Sequence, residues 1–371
     1  MTEQQPNRLS TPLRIALIGC GAITEQYYAP ALKEAGKHTS LEVTALFDPA
    51  QQRLNAVESS FPGATPLIEF EALIAARPHL AIVASPPKFH AAQTIALLGA
   101  GVHVLCEKPL ACTLAEANQM VAAAQTADRL LAVGLFRRFF PALQTIKALV
   151  AGGALGAPTS FHFAEGGAFN WPAASASFFQ KQHSQGGVLL DLGVHLLDLS
   201  CWWFGAPASI TYADDAMGNL EANSHLKLTY TSGLTGEVRL SRDTPCSNRY
   251  VIEFEQGKVV WQVGDANHLD VRFKGSSFPL SGELREQAAG QDQVADTYSQ
   301  SFVRQILNVV AAARGLEPLR VPAAEAISSL RLIEHCYANR QLIPMPWLSP
   351  AELERAQALA TNSALTPSTS L

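Results

Sequence analysis

Short apolar runs alternate with helix-patterned stretches over the first third of the chain, and this alternation constrains the fold more than any other feature. Leu13–Ile18 reads as a strand and Ala22–Ala35 as a helix, and Leu41–Phe47 with Gln51–Ser60 repeats the pair. Leu80–Ala84 is a strand that ends at Ser85-Pro86-Pro87, before a helix over Ala91–Leu98. Val102–Cys106 and Leu114–Ala127 follow, and Leu130–Leu135 closes the series. The strands are near-continuously apolar, as expected when helices cover both faces of a sheet. Strand–helix alternation with right-handed crossovers predicts an α/β, doubly wound parallel sheet.

Beyond about residue 140 the pattern changes. Ala151–Pro158 is a Gly/Ala/Pro turn region, and Thr159–Ala164 reads as a strand. Gly187–Trp203 reads as one helix. Six strand-like runs follow, from Ser209–Ala213 to Leu269–Phe273, with turn residues at Thr231-Ser232-Gly233 and Gln256-Gly257. This predicts an α+β domain on a large, mostly antiparallel, open-faced sheet. Two helices end the pattern, near Asp296–Arg314 and Ala323–Ala338. A chain of 371 residues exceeds one ordinary core. The expected organisation is a flexible tail over 1–12, an α/β domain over 13–137 and an α+β domain over 138–320. A C-terminal helix over 321–348 then returns towards the first domain, and a polar, mobile tail fills 349–371.

Composition excludes several classes. The chain has 27 basic and 32 acidic side chains, a net charge of −5, so it offers no basic field for phosphate backbones and no nucleic-acid partner is expected. The opening MTEQQPNRLSTP lacks an apolar leader, and the most apolar long run, Val188–Phe204, carries Asp191, His195 and Asp198. Neither a secretory signal nor a membrane span is expected, and a cytoplasmic location follows. The six cysteines are scattered without a CxxC pair, which suits reduced thiols and no metal site.

The first strand runs straight into Gly19-Cys20-Gly21-Ala22-Ile23-Thr24. Gly19 permits the sharp turn, Gly21 allows a pyrophosphate close to the backbone, and the helix start offers free N–H groups. Thr24 stands where Gly or Ala is usual. Asp48 ends the second strand, where a carboxylate accepts from an adenosine ribose and repels a 2′-phosphate. This favours NAD, although Arg53 could still accommodate NADP.

Two further segments carry chemistry. Lys108 follows the strand Val102–Cys106 at the sheet edge where ligands of open α/β sheets bind, and an ammonium there can stabilise a developing alkoxide. Taken alone, such a lysine is more often a solvated strand end. Asp191 and His195 stand i,i+4 on a largely apolar helix and share a face. An ionised carboxylate in such a setting costs several kcal/mol unless partnered, so the pair is either functional or a satisfied packing contact. Asp198 fits a structural role, and Asp214-Asp215 fits a strand-end turn better than a metal-ligand pair.

These residues together resemble the Gfo/Idh/MocA oxidoreductase family. The matching features are Gly19-x-Gly21, Asp48, Ser85-Pro86-Pro87 with His90, Glu107-Lys108-Pro109, Arg137-Arg138 and the run Gly187 to Asp198, spanning about residues 13–205. The resemblance implies a Rossmann domain plus a C-terminal sheet domain that mediates a homodimer or homotetramer. It implies Lys108, Asp191 and His195 as the catalytic set. Cofactor contacts are expected from Gly19, Cys20, Gly21, Ala22, Ile23, Asp48, Arg53, Ser85, Pro86, His90, Glu107 and Lys108. His90 is also read as a cap of the next helix. Arg137, Arg138 and the aromatic loop at Trp171 are candidate substrate contacts.

The expected reaction is hydride transfer between a nicotinamide and a secondary alcohol or ketone of a sugar, inositol or nucleotide-sugar-like substrate. The alternatives are an NAD-dependent glycoside hydrolase with transient redox chemistry, and a non-catalytic dinucleotide-binding regulator.

Overall fold

The structure is a computed structural model and describes residues 11–172, 179–288, 291–294 and 298–361. These divide into two compact units. The first takes in residues up to Phe136 together with Ser299–Ile327, and the second takes in most of Arg137–Tyr298 and the chain from Ser328. Residues 1–10 of the expected N-terminal tail and 362–371 of the expected C-terminal tail lie outside the described residues.

In the first unit the chain runs β1 (Leu13–Ile18), a π-wound turn (Thr24–Tyr28), α1 (Ala29–Ala35), β2 (Leu41–Phe47) and α2 (Gln51–Glu58). It continues through β3 (Thr65–Leu67), α3 (Phe70–Ala75), β4 (Leu80–Val83) and α4 (His90–Gly99). β5 (His103–Cys106), α5 (Leu114–Ala127) and β6 (Leu131–Val133) complete the series. The sheet order is β3-β2-β1-β4-β5-β6, and every pairing is parallel. Ile15 to Ile18 and Leu80 to Val83 are 0–1% exposed, so each large side chain contributes about 1.5–3 kcal/mol of apolar burial. The order reverses between β1 and β4, which makes the carboxyl ends of those strands the ligand-binding edge. Helix starts are fixed locally: Thr113 and Glu116 form a reciprocal capping box on α5, which ends at Asp128 with φ 51.

The second unit opens with α6 (Pro141–Gly152) and β7 (Pro158–Gly166). The one-turn α7 (Lys181–Ser184) and a second π-wound turn (Leu189–Gly193) lead into α8 (Val194–Phe204). There follow β8 (Ser209–Asp214), β9 (Asn223–Thr229), β10 (Thr235–Ser241), β11 (Arg249–Phe254), β12 (Gly257–Gln262), β13 (His268–Phe273) and β14 (Leu280–Glu283). A separate ribbon pairs β15 (Arg285–Ala288) with β16 (Gln291–Val294). After α9 (Tyr298–Ala313) and α10 (Ala323–Ala338) come β17 (Gln341–Leu342) and α11 (Pro350–Thr361).

The large sheet has nine strands in the order β14-β13-β12-β11-β7-β10-β9-β8-β17. Only β7–β10 and β8–β17 are parallel, so the sheet is mixed and mostly antiparallel. Buried and exposed residues alternate along β9, β10 and β11, the mark of one covered face. α8 covers that face of β7: Trp203 meets Phe163 edge-on and Phe204 stacks on Phe161. Gly236 makes room for Phe161, whose ring a Cβ would approach to 2.0 Å. α9 belongs mainly to the first unit, where Phe302 stacks with Tyr27 and Phe136.

Several expectations are corrected. The segment read as a polar tail forms α11 over Pro350–Thr361. The single helix expected over Gly187–Trp203 begins with π winding. β3, α3 and α6 are additional elements.

Candidate active site

The turn after β1 has the geometry a pyrophosphate needs. Gly19 has φ +89, and a Cβ there would lie 2.6 Å from Ser85 N, so only glycine fits. At Gly21 a Cβ would meet nothing within 4 Å, which leaves open space against the backbone. Thr24 is fully buried and donates its hydroxyl to Gly19 O at 2.5 Å. The departure from Gly or Ala is thus absorbed as a bond that braces the turn. Asp48 is 3% exposed and fastens the same turn to β2, since Oδ2 accepts from Cys20 N at 3.0 Å and Oδ1 from Ala50 N at 2.9 Å. Arg53 Nη1 lies 4.0 Å from Asp48 Oδ2. Burial, with the Asp48 charge, pushes the Cys20 thiol up to about 12, so it stays neutral. Ala22 and Ile23 are half-buried at the helix start. An NAD dinucleotide fits this arrangement: glycine backbone with free space, helix N–H groups, and a carboxylate at the end of β2.

Lys108 stands on the same edge, because Ile18, Val83 and Cys106 are register neighbours at the ends of β1, β4 and β5. Two buried side chains hold its surroundings. Glu107 is 6% exposed; it accepts from Tyr28 Oη at 2.5 Å and from Lys108 N at 3.0 Å. Burial raises the Glu107 pKa above the ordinary glutamate value, against the pull of the Tyr28 bond. His90 is 1% exposed, with Nδ1 2.9 Å from Pro109 O and Nε2 2.8 Å from Ser85 O. It therefore ties the Ser85-Pro86 loop to the Lys108-Pro109 loop and does not cap α4, whose start has no side-chain cap. Burial lowers the His90 pKa. Ser85 Oγ is engaged with Gln93 at 2.6 Å. Lys108 itself is half-buried.

In the second unit Asp191 lies on the π-wound turn and His195 on the first turn of α8. His195 is 4% exposed. Asp191 Oδ2 accepts from Arg242 Nη2 at 2.5 Å, and Arg242 also lies over the Phe169 ring at 5.3 Å. Arg242 follows β10 and escaped sequence reasoning, since nothing local to it points to Asp191. Its main chain accepts from Phe169 N at 2.9 Å, which anchors the aromatic loop that ends at the half-buried Trp171. An imidazole, a carboxylate and a guanidinium thus occupy one helix start and the strand end beside it. Such a set can move a proton and hold an oxygen.

The guanidinium groups of Arg137 and Arg138, expected as substrate contacts, are engaged by framework pairs. Arg137 donates to Glu165 at 2.8 and 2.6 Å and to Tyr250 at 2.9 Å. Burial works against its charge, but the Glu165 carboxylate offsets this and raises its pKa. Arg138 donates to both oxygens of Asp198 at 2.9 and 2.6 Å. Asp215 Oδ1 accepts from Ala222 N and Asn223 N, a turn contact. All six cysteines are free, and no cluster of potential metal ligands occurs among the described residues. No helix among the described residues is long and apolar enough to cross a membrane.

Comparison with known proteins agrees with this geometry. Residues 13–135 match the model of the oxidoreductase family with the NAD-binding Rossmann fold, and residues 143–260 match the GFO/IDH/MocA C-terminal domain. The D-glucoside 3-dehydrogenase of Escherichia coli is 32% identical over 259 residues, covering 68% of this chain and 70% of that protein. The rhizopine catabolism protein MocA of Rhizobium meliloti is 27% identical over 339 residues, covering 87% of this chain and 94% of that protein. The crystal structure of the WlbA dehydrogenase from Bordetella pertussis, in complex with NADH and UDP-GlcNAcA, shares the fold. Its TM-score is 0.76 at 22% identity, over 89% of this chain and 96% of that one. With a Gly19 turn built for a dinucleotide and both family domains matched, the chain belongs to the Gfo/Idh/MocA oxidoreductase family.

Proposed function

We propose that the chain is an NAD-dependent dehydrogenase acting on a secondary alcohol of a hydroxyl-rich cyclic compound, such as a sugar, an inositol or a nucleotide-linked sugar. The observation that carries this reading is Lys108, set on the sheet edge beside the Gly19 turn and braced there by Glu107 and His90. The glucoside dehydrogenase among the relatives supports the substrate class.

The nicotinamide, when bound, supplies the hydride acceptor. His195 takes the proton from the substrate hydroxyl, a task suited to an imidazole near neutrality. Lys108 donates to the same oxygen and stabilises its growing negative charge. Asp191, held by Arg242, orients His195 or Lys108 and favours its charged form. Gly19, Gly21 and Asp48 seat the dinucleotide, with Asp48 on the adenosine ribose. The outer strands of the nine-stranded sheet, with Phe273 51% and Leu280 64% exposed, serve as the face for a homodimer or homotetramer.

The test is turnover of glucosides, inositols and sugar acids in Lys108→Met and His195→Ala. Each substitution should lower kcat by about a hundredfold or more, with NAD still stabilising the protein against heat as in the wild type. Wild-type kcat in either purified variant removes that residue from the reaction.

A further inference from the structure

The turn that carries Asp191 opens at Gly186-Gly187, and the first N–H groups of a helical turn have no partner within it. Here one residue gathers them. Glu221 Oε1 accepts from Gly187 N at 3.0 Å and Leu189 N at 3.1 Å, and the Glu221 carbonyl accepts from Val188 N at 3.0 Å. Three successive amides end on one residue of the β8–β9 connection, two on its side chain and one on its carbonyl. Oε1 also accepts from Tyr337 Oη of α10 at 2.7 Å.

Glycine makes the approach possible. A Cβ on Gly187 would stand 2.1 Å from Glu221 O, and one on Gly186 would stand 2.5 Å from Tyr337 Oη. Glu221 is 2% exposed. Its other oxygen lies 3.5 Å from Arg340 Nη2, while Arg340 Nε pairs with Asp214 Oδ2 at 2.7 Å. A carboxylate this buried is costly without partners, and here it is met by donors from two other segments.

We infer that Glu221 is a positioning residue for the reaction. By fixing the three amides that begin the π-wound turn, it sets the rotation of that turn and so the aim of Asp191 and His195. Asp191 N bonds back to Gly187 O at 3.1 Å, so a shift at Gly187 passes directly to Asp191. Misplacement of about 1 Å in a reacting group costs on the order of a hundredfold in rate, which a loosened start of this turn would produce. The inference rests on the proposed roles of Asp191 and His195.

The experiment compares the full-length Glu221→Ala, Glu221→Gln, Tyr337→Phe and His195→Ala proteins with the wild type. It uses the polyol or glycoside best turned over by the wild type, with NAD. Alanine at 221 should lower kcat by about tenfold or more with KM for NAD unchanged, and should move the His195 imidazole NMR titration. Glutamine keeps an acceptor oxygen and should return kcat to within about threefold and restore the titration. If the alanine protein does not fold, Tyr337→Phe, which removes one donor, should lower kcat severalfold and move the same titration. Equal losses in the glutamine and alanine proteins, or an unmoved His195 titration, would overturn the inference. His195→Ala at wild-type turnover would instead sink the catalytic reading. An inactive His195→Ala beside a fully active, folded Glu221→Ala would sink the positioning role alone.

Discussion

At the scale of single residues, the site is held by buried acids whose oxygens are already in use. Asp48 spends one oxygen on Cys20 N and the other on Ala50 N, which fixes the carboxylate at the end of β2. Asp48→Ala should weaken NAD binding and narrow its advantage over NADP by about tenfold, measured by thermal shift with each dinucleotide. An unchanged preference would remove Asp48 from ribose recognition. Glu107 gives a prediction in pH. Burial raises its native pKa, so the folded protein binds a proton that the unfolded chain has already released. The contribution of Glu107 to stability is therefore greatest below the ordinary glutamate value and is lost as pH rises through the elevated native value. Glu107→Gln has no such slope and keeps an acceptor for Lys108 N. Urea midpoints taken across this window should show the wild type losing ground to the glutamine variant as pH rises. Parallel midpoints would contradict the raised pKa. Thr24 teaches a further residue-scale point: a hydroxyl in place of Gly or Ala weakens the motif on paper, yet it is buried against Gly19 O.

At the scale of elements, the Arg137–Glu165–Tyr250 cluster joins the segment after β6 to β7 and β11. Arg137→Met would leave the Glu165 carboxylate buried and should cost about 3–5 kcal/mol in urea unfolding, whereas the double change with Glu165→Gln should recover part of it. A loss under about 1 kcal/mol would show the pair to be solvated. The strands of the parallel sheet were legible because burial on both faces leaves a near-continuous apolar run, as in β4 and, but for Arg14, in β1. β3 was not, because it has three mostly exposed residues with Pro66 in the middle. α6 carried readable signals, Pro141 at its first turn and Gly153 in the left-handed region past its end. The π winding at Leu189–Gly193 has no local signature, since the partner of its opening amides, Glu221, is distant in sequence. The same reason hides Arg242: its contact with Asp191 exists only once β10 and the π-wound turn are folded. Lys108, Asp191 and His195 stand out as candidates because each lies inside a spaced motif, as do Glu107 and His90, whereas Arg242 and Glu221 reach the turn of Asp191 from other segments.

At the scale of the whole molecule, the proposed reaction calls on residues from both units. The first carries the dinucleotide turn and Lys108, and the second carries Asp191, His195 and the large sheet. The family membership accounts for both parts being encoded in one chain. The assembly proposed through the outer strands predicts a solution mass of two or four chains by light scattering, and a single-chain mass would contradict it. The central claim is net hydride transfer that depends on Lys108 and His195. The most direct measurement follows deuterium from a substrate labelled at its carbinol carbons into NAD during a single turnover, by mass spectrometry. The account predicts deuterated NADH together with a ketone product in the wild type, and neither in Lys108→Met or His195→Ala. Product formed with the label returned to it and no NADH accumulating would contradict the account and mark a hydrolase that uses the cofactor transiently.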